Sequence, residues 1–235
     1  MPKIDVCLTH ELIQQHDLRG KIVVIVDVFR ATSCMVAGLN AGITSIRPVR
    51  EVADCDQFSA LGYLKGGERH AQKIEGFELD NSPFSYMLPE HKGKKVVMTT
   101  TNGTLSIDKA KANAEEILAA SFGNITATEN YLRQKNKDVI VLCAGWKGRP
   151  GLEDVLFAGA LASRLADQFG NDEDGTHMAM ALYEVAKNDP LQYLQRASHL
   201  QRLKNLSGGL DIPFCLQEDT ASIIVKLTDE ELYAH

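Results

Sequence analysis

The sequence predicts an α/β protein built as three layers, helix–sheet–helix, around a largely parallel or mixed sheet. Three observations carry this. Short apolar runs at 22–26, 96–98 and 139–142 are typical of strands covered on both faces, the usual condition of parallel sheets. Segments of helical periodicity alternate with those runs, as in β-α-β units. Each run also ends in a polar loop that opens a helix, the place where ligands bind in open α/β sheets.

Taken in order, residues 4–8 read as a first strand, followed by a polar stretch rich in Gln and His. Residues 22–28 form a buried strand, and Thr32 and Ser33 offer N-cap hydroxyls to a helix running to Ala41, where Gly42 supplies the stop. A strand over 44–49 and a helix over 51–61 follow. From 62 to 88 the pattern weakens into loop compositions: Gly66-Gly67-Glu68-Arg69, Glu75-Gly76-Phe77 and Asn81-Ser82-Pro83. The interspersed Ile74, Phe77, Phe84, Tyr86 and Leu88 predict an ordered functional loop. Alternation resumes with a strand at 96–98, a helix over 103–113, a strand at 117–120, a helix over 124–135 and a strand at 139–144. The strongest helix spans 153–169, with Val155, Gly159, Ala162, Ala166 and Phe169 at helical spacing. Helices over 176–187 and 191–206 then suggest a helical lobe near 171–206, and 223–225 a last strand at the sheet edge. One domain over 1–235, without internal repeat or linker, is expected.

Composition narrows the function classes. The net charge of −6 and pI of about 5.7 disfavour a nucleic-acid partner. No apolar stretch approaches the roughly 18 residues of a membrane span, and the N-terminus lacks a signal-peptide core. The five cysteines (Cys7, Cys34, Cys55, Cys143 and Cys215) show no C-x-x-C spacing. That fits a reducing cytoplasm better than a disulfide framework or structural zinc. A homodimer is the default expectation for assembly.

Asp27 is the sharpest single residue. A carboxylate ending a buried strand is costly unless a cation neutralises it. It could ligate Mg²⁺ or attack phosphorus, or it could only pair with Arg30. Arg30, Thr32 and Ser33 follow at a helix N-terminus, a ready anion site. The Thr99–Thr104 run (Thr99-Thr100-Thr101-Asn102-Gly103-Thr104) holds more donors than an N-cap needs, which favours anion binding. Lys147 and Arg149 precede Glu153 and Asp154; the acids are equally explained by the helix dipole, but their company suits anionic oxygens and a metal. Glu68 and Arg69 sit either at a solvated corner or at a site. Of seven histidines, only His70 is kept as an acid or base. No dinucleotide, P-loop or G-x-S-x-G motif occurs.

At these residues the chain resembles the 2-phosphosulfolactate phosphatase family. The similar segments are VDVFRATS at 26–33, GGER at 66–69, EGFELDNSP at 75–83, TTTNGT at 99–104, CAGWKGRPGLED at 143–154 and DIPFC at 211–215. Asp80 departs from the pattern, where a glycine is expected. The resemblance implies a Mg²⁺-dependent phosphatase of the coenzyme M pathway, with an α/β/α-type fold of its own. It would release 3-sulfolactate and inorganic phosphate from a small polyanionic phosphoester. Asp27, Glu68, Glu153 and Asp154 would then hold Mg²⁺. Arg30 and Lys147 would act at the phosphoryl group. Thr32, Ser33, Arg69, Asn81, Ser82, Thr101, Asn102, Gly103, Thr104 and Arg149 would bind substrate.

Two mechanisms stay open: attack by a metal-activated water, and attack by Asp27. The order Asp27, Thr101, Lys147, Glu153-Asp154 is similar to that of haloacid-dehalogenase-type phosphatases, but Phe29 stands where that family has a second acid. The competing functions are a metal-dependent lyase or aldolase on a phosphorylated hydroxy acid, and a non-catalytic anion-binding protein.

Overall fold

A computed structural model describes residues 1–207 and 209–235, without the side chains of 205–207. The strands are β1 (Ile4–Cys7), β2 (Ile22–Val26), β3 (Ser45–Pro48), β4 (Leu64–Arg69), β5 (Gln72–Lys73), β6 (Lys95–Thr99), β7 (Glu116–Ala120), β8 (Val139–Cys143), β9 (Val225–Thr228) and β10 (Glu231–Ala234). The helices are α1 (Ala31–Asn40), α2 (Val52–Ser59), α3 (Pro83–Tyr86), α4 (Gly103–Lys111), α5 (Ile125–Lys135), α6 (Leu152–Leu165), α7 (Asp174–Ala186), α8 (Pro190–Leu194), α9 (Ser198–Ser207) and α10 (Asp211–Cys215).

Among the described residues, all ten strands join one mixed sheet, in the order β1-β8-β2-β7-β9-β10-β3-β6-β4-β5. The three-layer expectation holds, for a physical reason visible in β2. Ile22, Val24 and Val26 pack into one core, with Phe157, Leu161 and Leu165 of α6. Val23 and Ile25 pack into the other, with Met35 and Leu39 of α1 and Ile107 of α4. Successive side chains of a strand point to opposite faces, so a strand that is apolar at every position needs helices on both. Helices α7 and α9 extend the first core: Ala179, Ala186, Leu200 and Leu203 belong to it. Helix α7 approaches α6 so closely that a Cβ on Gly159 would lie 2.0 Å from the carbonyl oxygen of Ala179.

Three expectations need correction. The C-terminal apolar segment is not at the sheet edge. It leads into a hairpin, β9-β10, inserted between β7 and β3 and antiparallel to both. The 62–88 segment is not all loop. Its first part is β4, parallel to β6, and its end includes α3. The continuous helix expected over 191–206 is broken, with α8 ending at Leu194 and α9 starting at Ser198.

The hairpin divides the sheet into two parallel blocks, β1-β8-β2-β7 and β3-β6-β4, that run in opposite local directions. Twist of about 20–25° between neighbours accumulates to roughly 100–125° over the five steps from β2 to β6. The second block is thereby turned, and loops leaving both blocks line one cavity: Asp27 follows β2, Glu68 ends β4, Thr101 follows β6 and Trp146 follows β8.

Candidate active site

The cavity, of about 140 Å³, is lined by Asp27, Arg30, Glu68, Asn81, Thr101 and Asn102 on the strand-end loops. Trp146, Lys147, His199 and Arg202 line it as well, with Phe29, His70, Ala71 and Leu203.

Asp27 is 9% exposed. Its backbone closes the turn into α1: Thr32 N–H donates to the Asp27 carbonyl at 3.0 Å, and Asp27 N–H donates to Thr32 Oγ1 at 3.0 Å. Ala31 N–H donates to the carboxylate Oδ1 at 3.3 Å. Burial raises its pKa to about 6 against the pull of His199 and of the Ala31 N–H, and the nearby Glu68 and Glu153 add to the rise. The anion position expected at the N-terminus of α1 is thus filled by Asp27 itself. Thr32 and Ser33 do not line the cavity; the Ser33 hydroxyl donates to the Val28 carbonyl at 2.9 Å. Both side chains shape the turn instead of offering donors to a ligand.

Helix α4 is pressed against this turn. A Cβ on Gly103 would lie 2.6 Å from Ala31 Cβ and 2.9 Å from Asp27 Oδ2. Only glycine permits that approach. The Thr99–Thr104 hydroxyls divide by task. Thr100 and Thr104 cap each other, with Thr104 N–H to Thr100 Oγ1 at 3.1 Å and Thr100 N–H to Thr104 Oγ1 at 3.2 Å. Thr101 and Asn102 face the cavity. Glu68 ties β4 to this loop, accepting from Thr101 N–H at 2.8 Å, Thr101 Oγ1 at 2.7 Å and Ala71 N–H at 2.6 Å. Arg69 turns away from the cavity and donates to the carbonyls of Glu68 and Arg50 and to Thr99 Oγ1, each at 2.8 Å.

Arg30 is buried in an ion pair with Asp211 at the start of α10, and its Nε has no hydrogen-bond partner among the described residues. Ser82 donates to the other Asp211 oxygen at 2.8 Å. Ser82 therefore supports Arg30 through Asp211 and does not line the cavity. Asp80 needs no glycine conformation: its carboxylate accepts the Ser82 N–H at 2.9 Å, an Asx-type turn.

The β8–α6 loop is a tight hairpin. Trp146 N–H donates to the Arg149 carbonyl at 2.8 Å and Arg149 N–H returns to Trp146 at 3.0 Å, with Lys147 and Gly148 at positive φ between them. This projects Lys147 into the cavity lining and leaves Arg149 exposed outside it. Asp154 accepts from Val28 N–H at 2.8 Å and Gly145 N–H at 2.9 Å, clamping the loops after β2 and β8 together. Burial, with Glu153 and Asp27 nearby, raises its pKa well above the ordinary carboxylate value.

Glu153 leads to residues that sequence reasoning missed. Its Oε1 lies 2.6 Å from His199 Nδ1, and its Oε2 is buried without a hydrogen-bond partner among the described residues. Burial opposes charge on His199, but the Glu153 hydrogen bond and charge outweigh it and raise the imidazole pKa. His199 stacks on Trp146, with ring centroids 5.9 Å apart and planes 4° from parallel. Arg202 lies over the same indole at 4.9 Å. Residues 199 and 202 stand three apart and so share a helix face, a spacing visible in the sequence but without a partner there to give it meaning.

Among the described residues, no three His, Cys, Asp or Glu side chains converge on a metal position. Asp27 and Glu68 face the cavity, while Glu153 and Asp154 do not line it. The donor chemistry nevertheless suits a hard divalent cation. Asp27, Glu68, Glu153 and Asp154 are all buried close together, and Glu153 Oε2 is orphaned. Burial first, and then the neighbouring acids, raise the carboxyl pKa of Asp27 and Asp154, and a bound cation would oppose both shifts.

A family model described as 2-phosphosulpholactate phosphatase matches residues 7–230. A relative from Thermotoga maritima, named probable 2-phosphosulfolactate phosphatase, is 41% identical over 88% of this chain and 88% of its own. One of the same name from Caldanaerobacter subterraneus subsp. tengcongensis is 37% identical over 93% and 92%. Another, from Clostridium beijerinckii, is 32% identical over 98% of both chains.

Proposed function

This chain belongs to the 2-phosphosulfolactate phosphatase family and is a phosphoric monoester hydrolase, and from that premise we propose that it hydrolyses 2-phosphosulfolactate to 3-sulfolactate and inorganic phosphate with Mg²⁺. The observation that carries the reading is a single cavity in which a buried carboxylate, Asp27, faces cationic side chains, Lys147 and Arg202. A pure anion receptor has no use for that acid. A lyase or aldolase lacks support from the family match.

Mg²⁺ would be held at Asp27, with Glu68, Glu153 and Asp154 supplying further negative charge around it. When bound, it would neutralise these acids and polarise the phosphoryl oxygens. The protein's own contribution is positioning and charge stabilisation, which dominate phosphoryl transfer. The Thr101 and Asn102 loop orients the phosphoryl group, and Lys147 adds positive charge on the Trp146 side of the same cavity. Arg30, fixed by Asp211, adds fixed positive charge, and His199, fixed by Glu153, offers Nε2 to the cavity. Thr32, Ser33, Asp154 and Gly103 hold Asp27 in place.

Phosphate release from a panel of 2-phospho-acids, with Mg²⁺ and after EDTA treatment, tests the reading. Turnover restored by Mg²⁺ supports it, and carbon-bond cleavage without phosphate release overturns it. Acid quench separates the two chemical routes: without an acid-stable, hydroxylamine-sensitive phosphoenzyme, the Asp27 nucleophile is eliminated and direct attack by water stands.

A further inference from the structure

Cationic groups are not spread evenly around the cavity. Arg30 is paired with Asp211. Lys147 and Arg202 have no acidic partner within salt-bridge distance among the described residues, and both gather on Trp146. Lys147 Nζ lies 4.8 Å and the Arg202 guanidinium carbon 4.9 Å from the indole centroid, and His199 stacks on the same ring. The acids Asp27 and Glu68 line the cavity from the loop after β2 and from the last residues of β4. The cavity therefore has an acid-bearing side, suited to a cation and the phosphoryl group, and a cationic side built on Trp146.

A guanidinium held over an aromatic face keeps its N–H edge free for oxygen acceptors. A second cation on the same ring adds charge without competing for that edge. His199 is locked on Nδ1 by Glu153 and, through its stacking, fixes the indole as a platform.

Resting on the phosphatase reading above, we propose that the Trp146 platform, with Arg202 and Lys147, is the subsite for a non-reacting strong-acid group at the carbon next to the ester carbon. It would select phosphorylated hydroxy acids bearing a sulfonate there over those bearing a methyl group. Selectivity arises because a substrate lacking the acid leaves both cations without an anion in a partly closed cavity, a cost that the correct substrate avoids. Arg202 is a specificity residue, and its contribution is independent of which group attacks phosphorus.

The test compares kcat/KM for phosphate release from 2-phosphosulfolactate and from 2-phospholactate, which lacks the sulfonate. Wild type is expected to prefer the sulfonate substrate. Arg202→Met, which keeps an apolar stem on the indole, should cut that preference roughly ten- to a hundredfold, the worth of a charge-assisted hydrogen bond, and Arg202→Lys should restore part of it. Calorimetric binding of sulfoacetate, which carries no phosphate, gives a readout independent of turnover and should weaken in Arg202→Met. An unchanged preference, or an equal fall on both substrates with unaltered sulfoacetate binding, overturns the subsite. Hydrolysis of neither substrate by wild type overturns the phosphatase reading itself, and sulfoacetate binding then still reports on the subsite.

Discussion

Replacing Gly103 by alanine tests whether the contact between α1 and α4 sets the position of Asp27. The added methyl would stand 2.6 Å from Ala31 Cβ, 2.9 Å from Asp27 Oδ2 and 3.2 Å from Thr100 Oγ1. Carbon atoms pack at about 3.5–4.0 Å, so the two helix starts must separate by about 1 Å, or Asp27 must move. Overpacking of this kind costs about 1–3 kcal/mol, and alanine's better helix propensity returns up to about 1 kcal/mol. The net loss of stability is then about 0–3 kcal/mol, read as a fall in the urea midpoint. Activity should suffer more, because a misplacement of about 1 Å near reacting atoms can cost about 100-fold. Paired urea titration and phosphate-release kinetics at saturating Mg²⁺ measure both quantities. A Gly103→Ala protein with wild-type kcat/KM and an unchanged midpoint would refute the argument that this contact positions Asp27.

Two further predictions concern ion pairs. Asp211→Ala leaves Arg30 buried and unpaired, and should destabilise the fold by about 3–5 kcal/mol; a loss under 1 kcal/mol by denaturant titration would show that Arg30 finds another partner. Away from the site, hydrogen bonding to Asp5 and then Cys7 raises the pKa of His16 from 6.5 to about 10, with Asp5 Oδ2 at 2.7 Å from Nδ1. Because the folded value is the higher one, the stabilisation is complete below about pH 6.5 and fades as pH rises toward 10. After discounting for screening of this partly open pair, Asp5→Asn should lose about 2 kcal/mol at pH 6 and converge on wild type above pH 10. A difference that does not vary with pH would contradict the assignment.

The layered fold was legible because β2, β6 and β8 are apolar at nearly every position, which only burial on both faces explains. What escaped notice has physical causes. Strand β4 was hidden by its own glycines. A Cβ on Gly67 would lie 1.9 Å from the Thr99 carbonyl oxygen, and one on Gly66 would lie 2.5 Å from the Tyr86 hydroxyl, so close packing demands residues of poor strand propensity. The placement of the β9-β10 hairpin in mid-sheet depends on long-range pairing that no local pattern encodes. In the site, strand-end position identified Asp27, Glu68, Thr101, Asn102 and Lys147 as residues facing a common cavity. It misjudged hydroxyls such as Thr32 and Thr104, because a threonine that closes a turn and one that binds a ligand look alike in sequence. His199 and Arg202 stayed invisible on a polar helix until tertiary contact placed them on Trp146, more than fifty residues earlier in the chain.

The most direct test of the account is phosphate release from 2-phosphosulfolactate by wild type and by Asp27→Asn, each measured with Mg²⁺ and after EDTA. Asparagine keeps the size of the side chain but removes its charge. The account predicts turnover by wild type that EDTA abolishes and Mg²⁺ restores, with kcat reduced by roughly 1000-fold or more in Asp27→Asn, a loss of about 4 kcal/mol of transition-state stabilisation. Wild-type rates in Asp27→Asn, or turnover that survives complete metal removal, would contradict it.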